Sequence, residues 1–133
     1  DMGWRKYYFK TKKVIFKKGI SSIGAGAFYN FQKLEEVVLP ERLETIKASA
    51  FFSCYRLKKI NVPKTLRTIA SDVFIATKIE SFSLRRVKKI GNMCFLDSKI
   101  KEVYLSKDCR SSSLVFWGCE KLKKVTLEDG IKK

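Results

Sequence analysis

Residues 34–57 read LEEVVLPERLETIKASAFFSCYRL. Val37 and Leu39 lie two residues apart, the spacing of a half-buried strand. Pro40 follows, where its missing N–H ends a ladder. Leu43 and Ile46 come next, three residues apart, and then Phe51 behind the small Ala50. So many changes of period in so short a stretch fit no single helix or strand. They fit one unit of something repeated.

The copies are present. The opening recurs as TKKVIFKKG from Thr11, LKKINVPKT from Leu57, IESFSLRR from Ile79, IKEVYLSKD from Ile100 and LKKVTLEDG from Leu122. Units starting at 11, 34, 57, 79, 100 and 122 are spaced 23, 23, 22, 21 and 22 residues apart. The fourth position is apolar in each (Val14, Val37, Ile60, Phe82, Val103, Val125), and so is the sixth (Phe16, Leu39, Val62, Leu84, Leu105, Leu127). Ile20, Leu43, Leu66, Val87 and Cys109 then make a column, with Ile23, Ile46, Ile69 and Ile90 three residues on. Each complete unit carries a phenylalanine: Phe28, Phe51, Phe74, Phe95, Phe116. One unit cannot bury its own apolar side, so units must stack and each apolar position must meet its copy in the next. The phenylalanines then form a spine of rings.

The pattern L-x-x-V-x-L-P-x-x-L-x-x-I-x-x-x-A-F-x-x-C-x-x-L, fullest over residues 34–57, resembles the BspA-like (Treponema pallidum type) leucine-rich repeat. The resemblance covers residues 11–133 and implies a mostly β solenoid. The expected fold is a right-handed stack of five to six units of about 22 residues. Each would carry one short parallel strand, with irregular or 3₁₀-like segments opposite. Residues 1–10 match poorly, and Trp4 and Tyr8 suggest a degenerate half-repeat or N-terminal cap. Unit five has Ser112 where the second isoleucine belongs, so an irregularity is expected between Cys109 and Leu114. The C-terminus shows no polar cap, which leaves that end open to a longer array or to end-to-end self-association.

The 133 residues carry 29 Lys+Arg against 13 Asp+Glu, so 29 − 13 gives +16. Hydrophobic residues make up 45%, enough to build a core, so the charge does not mark a disordered chain. There is no histidine, which excludes histidine bases, triads and metal ligands. No apolar run approaches the length of a membrane-spanning helix, and residues 1–9 lack the apolar core of a signal peptide. Cys54, Cys94, Cys109 and Cys119 form no C-x-x-C pair. Cys54 and Cys119 sit three units apart in one column, about 14 Å at the usual strand spacing and beyond disulfide reach. All four read as small buried hydrophobes. GAGAF at residues 24–28 lacks the spacing of a phosphate loop and coincides with the repeat's own turn. Neither a catalytic residue nor a cofactor or metal site is indicated.

The charges fall into two sets. Beside the strands, Lys12-Lys13, Glu35-Glu36, Lys58-Lys59, Glu80, Lys101-Glu102 and Lys123-Lys124 alternate in sign from unit to unit, which stabilises strand pairing. In the turns after the strands this compensation fails. Lys64, Arg67, Arg85, Arg86, Lys88, Lys89, Lys107 and Arg110 make a basic edge over units three to five, a candidate contact for an acidic partner. A second candidate is the outward strand face, Ile15, Val38, Asn61 and Tyr104.

These features point away from an enzyme and toward an interaction module. The family resemblance implies a cell-surface or secreted adhesin that binds host or matrix proteins. The alternatives are binding of a polyanion, such as a sulfated glycan, through the basic edge, or service as a structural spacer. Nucleic acid lacks support, because no reader helix, zinc finger or exposed aromatic platform is present.

Overall fold

The structure, a computed structural model, describes residues 3–129; the side chain of Trp4 and the last four residues of the sixth unit lie outside the described residues. In chain order the strands are β1 (Lys13–Ile15), β2 (Ser22–Ile23), β3 (Glu36–Val38), β4 (Thr45–Ile46), β5 (Lys59–Ile60), β6 (Thr68–Ile69), β7 (Lys89–Ile90), β8 (Glu102–Ser106), β9 (Arg110–Ser111) and β10 (Lys124–Glu128). Every pairing is parallel and joins a residue to its copy one unit on, as in Val14–Val37–Ile60 and Ile23–Ile46–Ile69–Ile90. The chain is therefore a β-solenoid.

The circuits build two strand walls, where one short strand per unit was expected, and the first wall is interrupted at unit four. β1, β3 and β5 form the first wall, which resumes as β8 and β10. The second is a continuous sheet in the order β2-β4-β6-β7-β9. Its strands are two residues long, too short for alternation to reveal, and only the isoleucine column marks them.

Opposite the strands run turns with two left-handed residues apiece. Gly26, Ser49, Asp72, Met93 and Leu114 form one such column, and Asn30, Ser53, Ala76, Asp97 and Gly118 the other. These residues aim their N–H groups along the stack: Gly26 donates to Ala48 O (2.9 Å) and Asn30 to Phe52 O (2.8 Å). The backbone thus remains hydrogen-bonded between circuits where no strand exists. Glycine, asparagine and aspartate tolerate this conformation best, which explains half of the column; Leu114 adopts it against its own preference.

The phenylalanine spine is present. Phe28, Phe51, Phe74, Phe95 and Phe116 stack with centroids 5.3–5.8 Å apart. Around the spine the leucine and isoleucine columns are buried, including Leu34, Leu43, Ile46, Leu57, Leu66, Ile69 and Ile90.

The irregularity lies elsewhere than the sequence suggests. Residues 109–114 keep their order: β9 pairs with β7, and the register places Ser111, not Ser112, opposite Ile90. The break falls in unit four, whose first wall is reduced to a single bridge between Leu84 and Leu105. Phe82 accounts for it. Where other units carry valine or isoleucine, this ring wedges against Phe74 (5.1 Å) and Phe95 (5.4 Å). The ring is too large for a position sized for a branched aliphatic, and the strand does not close onto β5.

At the N-terminus a 3₁₀ helix, Gly3–Tyr7, lies against the first circuit. Arg5 fastens it by donating to the carbonyls of Gly26 (2.6 Å), Ala27 (2.9 Å) and Tyr29 (2.9 Å).

Candidate interaction surfaces

The charge ladder beside the strands forms as its alternation implies. Lys13 meets Glu36 at 3.6 Å, and Glu80 is shared by Lys58 (3.4 Å) and Lys101 (3.2 Å). Lys101, and after it Lys58, hold the Glu80 carboxyl below the usual range. These pairs are exposed and help set register rather than contribute much stability.

The eight cations of the basic edge separate into three groups. Lys89 and Arg110 stand in one column of the second wall, and Arg67 and Lys88 occupy the position just before it on neighbouring circuits. Lys89 is in register with Arg110, and the Lys88 N–H donates to Arg67 O. Successive circuits are about 4.8 Å apart, so Lys89 and Arg110 set like charges at adjacent strand positions. Arg67 is held against its own turn by hydrogen bonds from Nη1 to Lys64 O (2.7 Å) and Leu66 O (3.2 Å). Lys64 and Arg86 instead face one shallow pocket of about 90 Å³ with Pro63 and Leu66. Arg85 and Lys107 are neutralised by Glu128 (3.5 Å) and Asp129 (2.7 Å). Both acids sit at the end of the last circuit, too far along the chain for local charge counting to connect them to this edge.

The strand face is not one surface. Ile15 is 57% exposed and pairs with Val38 in the first segment of the wall. Tyr104 belongs to the second segment, opposite Thr126, beneath the Arg85 guanidinium at 4.6 Å. Asn61 serves the fold: its side-chain oxygen accepts from Leu39 N (2.6 Å) and its amide donates to Leu39 O (3.1 Å), extending the ladder where β5 stops. Between the segments the unit-four break opens a groove of about 530 Å³, lined by Ile60, Val62, Phe82, Glu102 and Tyr104 among others.

One cationic feature went unread in the sequence. Lys33, Arg56, Lys78, Lys99 and Lys121 each precede the first residue of a unit, so the stack displays one exposed cation per circuit. None of the five takes part in an ion pair among the described residues. The signal was available, because the residue before every unit start is basic.

The cysteines are all free. Burial pushes the Cys54 thiol up to about 12 and also raises those of Cys94 and the less deeply buried Cys109. Cys54 and Cys119 play matching parts, each donating to the carbonyl of a spine phenylalanine one circuit back, Phe28 (3.3 Å) and Phe95 (3.0 Å). Cys109 and Cys119 are less enclosed than a core reading implies. Near neutral pH a thiol reagent should therefore modify Cys109 and Cys119 in the folded protein and spare Cys54 and Cys94, with all four reacting after unfolding. Labelling of Cys94 as fast as that of Cys109 would contradict this packing. The folded pKa of Cys54 stands above its ordinary 9.0. Its contribution to stability is present below that pH and is lost as pH rises through about 12.

Among the described residues no cluster of His, Cys, Asp or Glu could hold a metal ion. No helix among them is long and apolar enough to cross a membrane. What remains is a repeat scaffold with extended charged walls, the anatomy of an interaction solenoid. Residues 6–123 match the BspA type leucine rich repeat region in six copies, and the chain belongs to that family. Its fold is similar to a leucine-rich repeat protein from Bacteroides ovatus, with TM-score 0.76 and 25% identity over 86% of this chain and 33% of that one. A leucine-rich repeat protein from Eubacterium ventriosum gives TM-score 0.85 and 22% identity over 96% of this chain and 35% of that one. The chain thus spans about a third of the length of these solved structures. No curated protein matches it. Leucine-rich repeats are generally protein-interaction modules.

Proposed function

We propose that this chain is a non-enzymatic interaction module of a cell-surface or secreted protein and that it docks an acidic partner on its cationic walls. The observation that carries this reading is a set of like charges, at the spacing of the circuits, that take part in no ion pair among the described residues. Arg67, Lys88, Lys89 and Arg110 lie on the second wall, and one further cation per circuit lies on the unit edge. Such stacking opposes folding slightly, so a partner that neutralises it binds with the fold's own repulsion in its favour. Acidic protein surfaces and sulfated glycans share the needed chemistry, and arginine can grip carboxylate or sulfate with two parallel hydrogen bonds. The family supports the role of adhesion to a host or matrix protein. Arg85 and Lys107 are left out of the contact, because Glu128 and Asp129 already hold them.

Binding to immobilised heparin and to a matrix protein such as fibronectin, each across a salt titration, tests the proposal. Heparin binding should collapse between about 50 and 300 mM salt as the charges are screened. Serine at Arg67, Lys88, Lys89 and Arg110 together should weaken it at least about tenfold, from the loss of several charge-assisted contacts, without unfolding the protein. Unchanged affinity in that variant, with loss only when Arg56, Lys78 and Lys99 are changed, would move the site to the unit edge. Failure of both ligands at low salt would favour a spacer.

A further inference from the structure

The residue after each spine phenylalanine is also large and apolar: Tyr29, Phe52, Ile75, Leu96 and Trp117. The left-handed residue that follows holds this column in register along the stack. Asn30 N–H donates to Phe52 O (2.8 Å), Ala76 N–H to Leu96 O (2.8 Å) and Asp97 N–H to Trp117 O (2.9 Å). Phe52, Ile75 and Leu96 have a described circuit on each side, yet all three remain half-buried while the spine beside them is enclosed. The Tyr29 ring lies flat on Phe52, with 5.0 Å between centroids. Single apolar residues on a surface are ordinary, whereas a continuous ridge of them marks a contact.

A line of cations borders the ridge. Arg56, Lys78 and Lys99 follow Phe52, Ile75 and Leu96 by four, three and three residues. All three are exposed, and none enters an ion pair among the described residues. Lys78 N–H donates to Leu57 O (2.8 Å), which sets Lys78 one circuit from Arg56. Asp72 and Asp97 are the acids of these three turns, and neither pairs with the cations. The Asp97 carboxyl lies instead against Gly118, in the space a β-carbon there would need.

The spacing selects the form of the partner. Spine rings of successive circuits lie 5.3–5.8 Å apart, and Tyr29 and Phe52 5.0 Å apart. An α-helix advances about 5.4 Å per turn and can return an apolar side chain to one face at each turn. A strand returns one only every two residues, about 6.6–6.8 Å, and falls out of step along the ridge. A ridge one side chain wide is also too narrow a face for a lipid surface, which takes a broad apolar stripe. Carboxylates on the flank of a helix would face Arg56, Lys78 and Lys99.

We infer that the ridge of Phe52, Ile75 and Leu96, with its bordering cations, docks an acidic amphipathic helix of a partner protein, laid along the stack at one turn per circuit. This rests on the acidic partner already proposed, and adds that partner's secondary structure and apolar face.

Fluorescence anisotropy with two designed peptides tests it. One, about 18 residues and so about 27 Å long as a helix, carries leucine along one helical face with glutamate beside it. The other has the same composition rearranged to strict alternation. The wild-type chain should bind the first at least about tenfold more tightly than the second, and the first should gain helical circular dichroism on binding. Serine at Phe52, Ile75 and Leu96 together should weaken that binding at least about tenfold through lost apolar contact. The same variant should bind heparin as the wild type does. Equal affinity for the two peptides overturns the inference, and this comparison stands even where the serine variant fails to fold. A folded serine variant that keeps the helical peptide also overturns it. Heparin binding retained in either case leaves the acidic partner in place without a helix. Failure of heparin and both peptides on the wild-type chain removes the acidic partner itself, and the helix with it.

Discussion

Replacing Phe74 with alanine is expected to lower the unfolding free energy by about 3–5 kcal/mol. The ring is fully buried and lies mid-spine, stacked on Phe51 at 5.7 Å and Phe95 at 5.3 Å and touching Phe82 at 5.1 Å. Deleting it removes its burial and leaves a void. The rings above and below are pinned by their own circuits and cannot close that void. In a solenoid each circuit is stabilised by its neighbours, so damage at mid-stack also uncouples the two halves. Phe116, only half-buried and stacked among the described residues only on Phe95, should cost less. Chemical denaturation measures both. A loss below about 1 kcal/mol for Phe74→Ala would mean that the spine does not carry the fold.

Gly91→Ala should be nearly as damaging although it adds only one methyl group. A β-carbon at Gly91 would collide with the backbone nitrogen of Ser71 and lie 2.5 Å from the Ala70 carbonyl carbon. Those atoms belong to the circuit below and cannot rotate aside as a side chain would. The crowding follows from length. Ile46 to Ile69 spans 23 residues and Ile69 to Ile90 spans 21, so the fourth circuit is drawn tight against the third. The two circuits must part, at about 3 kcal/mol as strongly overpacked sites do. Gly24 follows Ile23 as Gly91 follows Ile90, yet a β-carbon there meets nothing within 4 Å. Gly24→Ala is thus a matched control that should leave stability almost unchanged. Equal melting behaviour in the two variants would contradict the tight fourth circuit.

Much of this was legible in the chain itself. The columns at Val37, Leu39, Leu43, Ile46 and Phe51 predicted stacking, and they became strand ladders, a ring stack or, at Leu43, Leu66 and Val87, a buried column, because a short unit has nowhere else to bury its apolar residues. The alternating lysines and glutamates predicted register for the same reason: charges at a fixed repeat position must become neighbours. The candidate surfaces were less legible. The basic edge looked uniform because a sequence shows only acids nearby in the chain. Glu128 and Asp129 reach Arg85 and Lys107 only after the stack has formed. Asn61 looked like an outward strand residue, but its amide spans to Leu39.

Periodicity alone therefore determined the solenoid, its number of circuits and its core, since each depends on a residue meeting its own copy. Tertiary structure decided where the periodicity fails. Whether the Phe82 ring fits, whether Gly91 has room and which cations keep their charge depend on neighbours one circuit or several away. Chain order does not place those neighbours until the circuits are stacked.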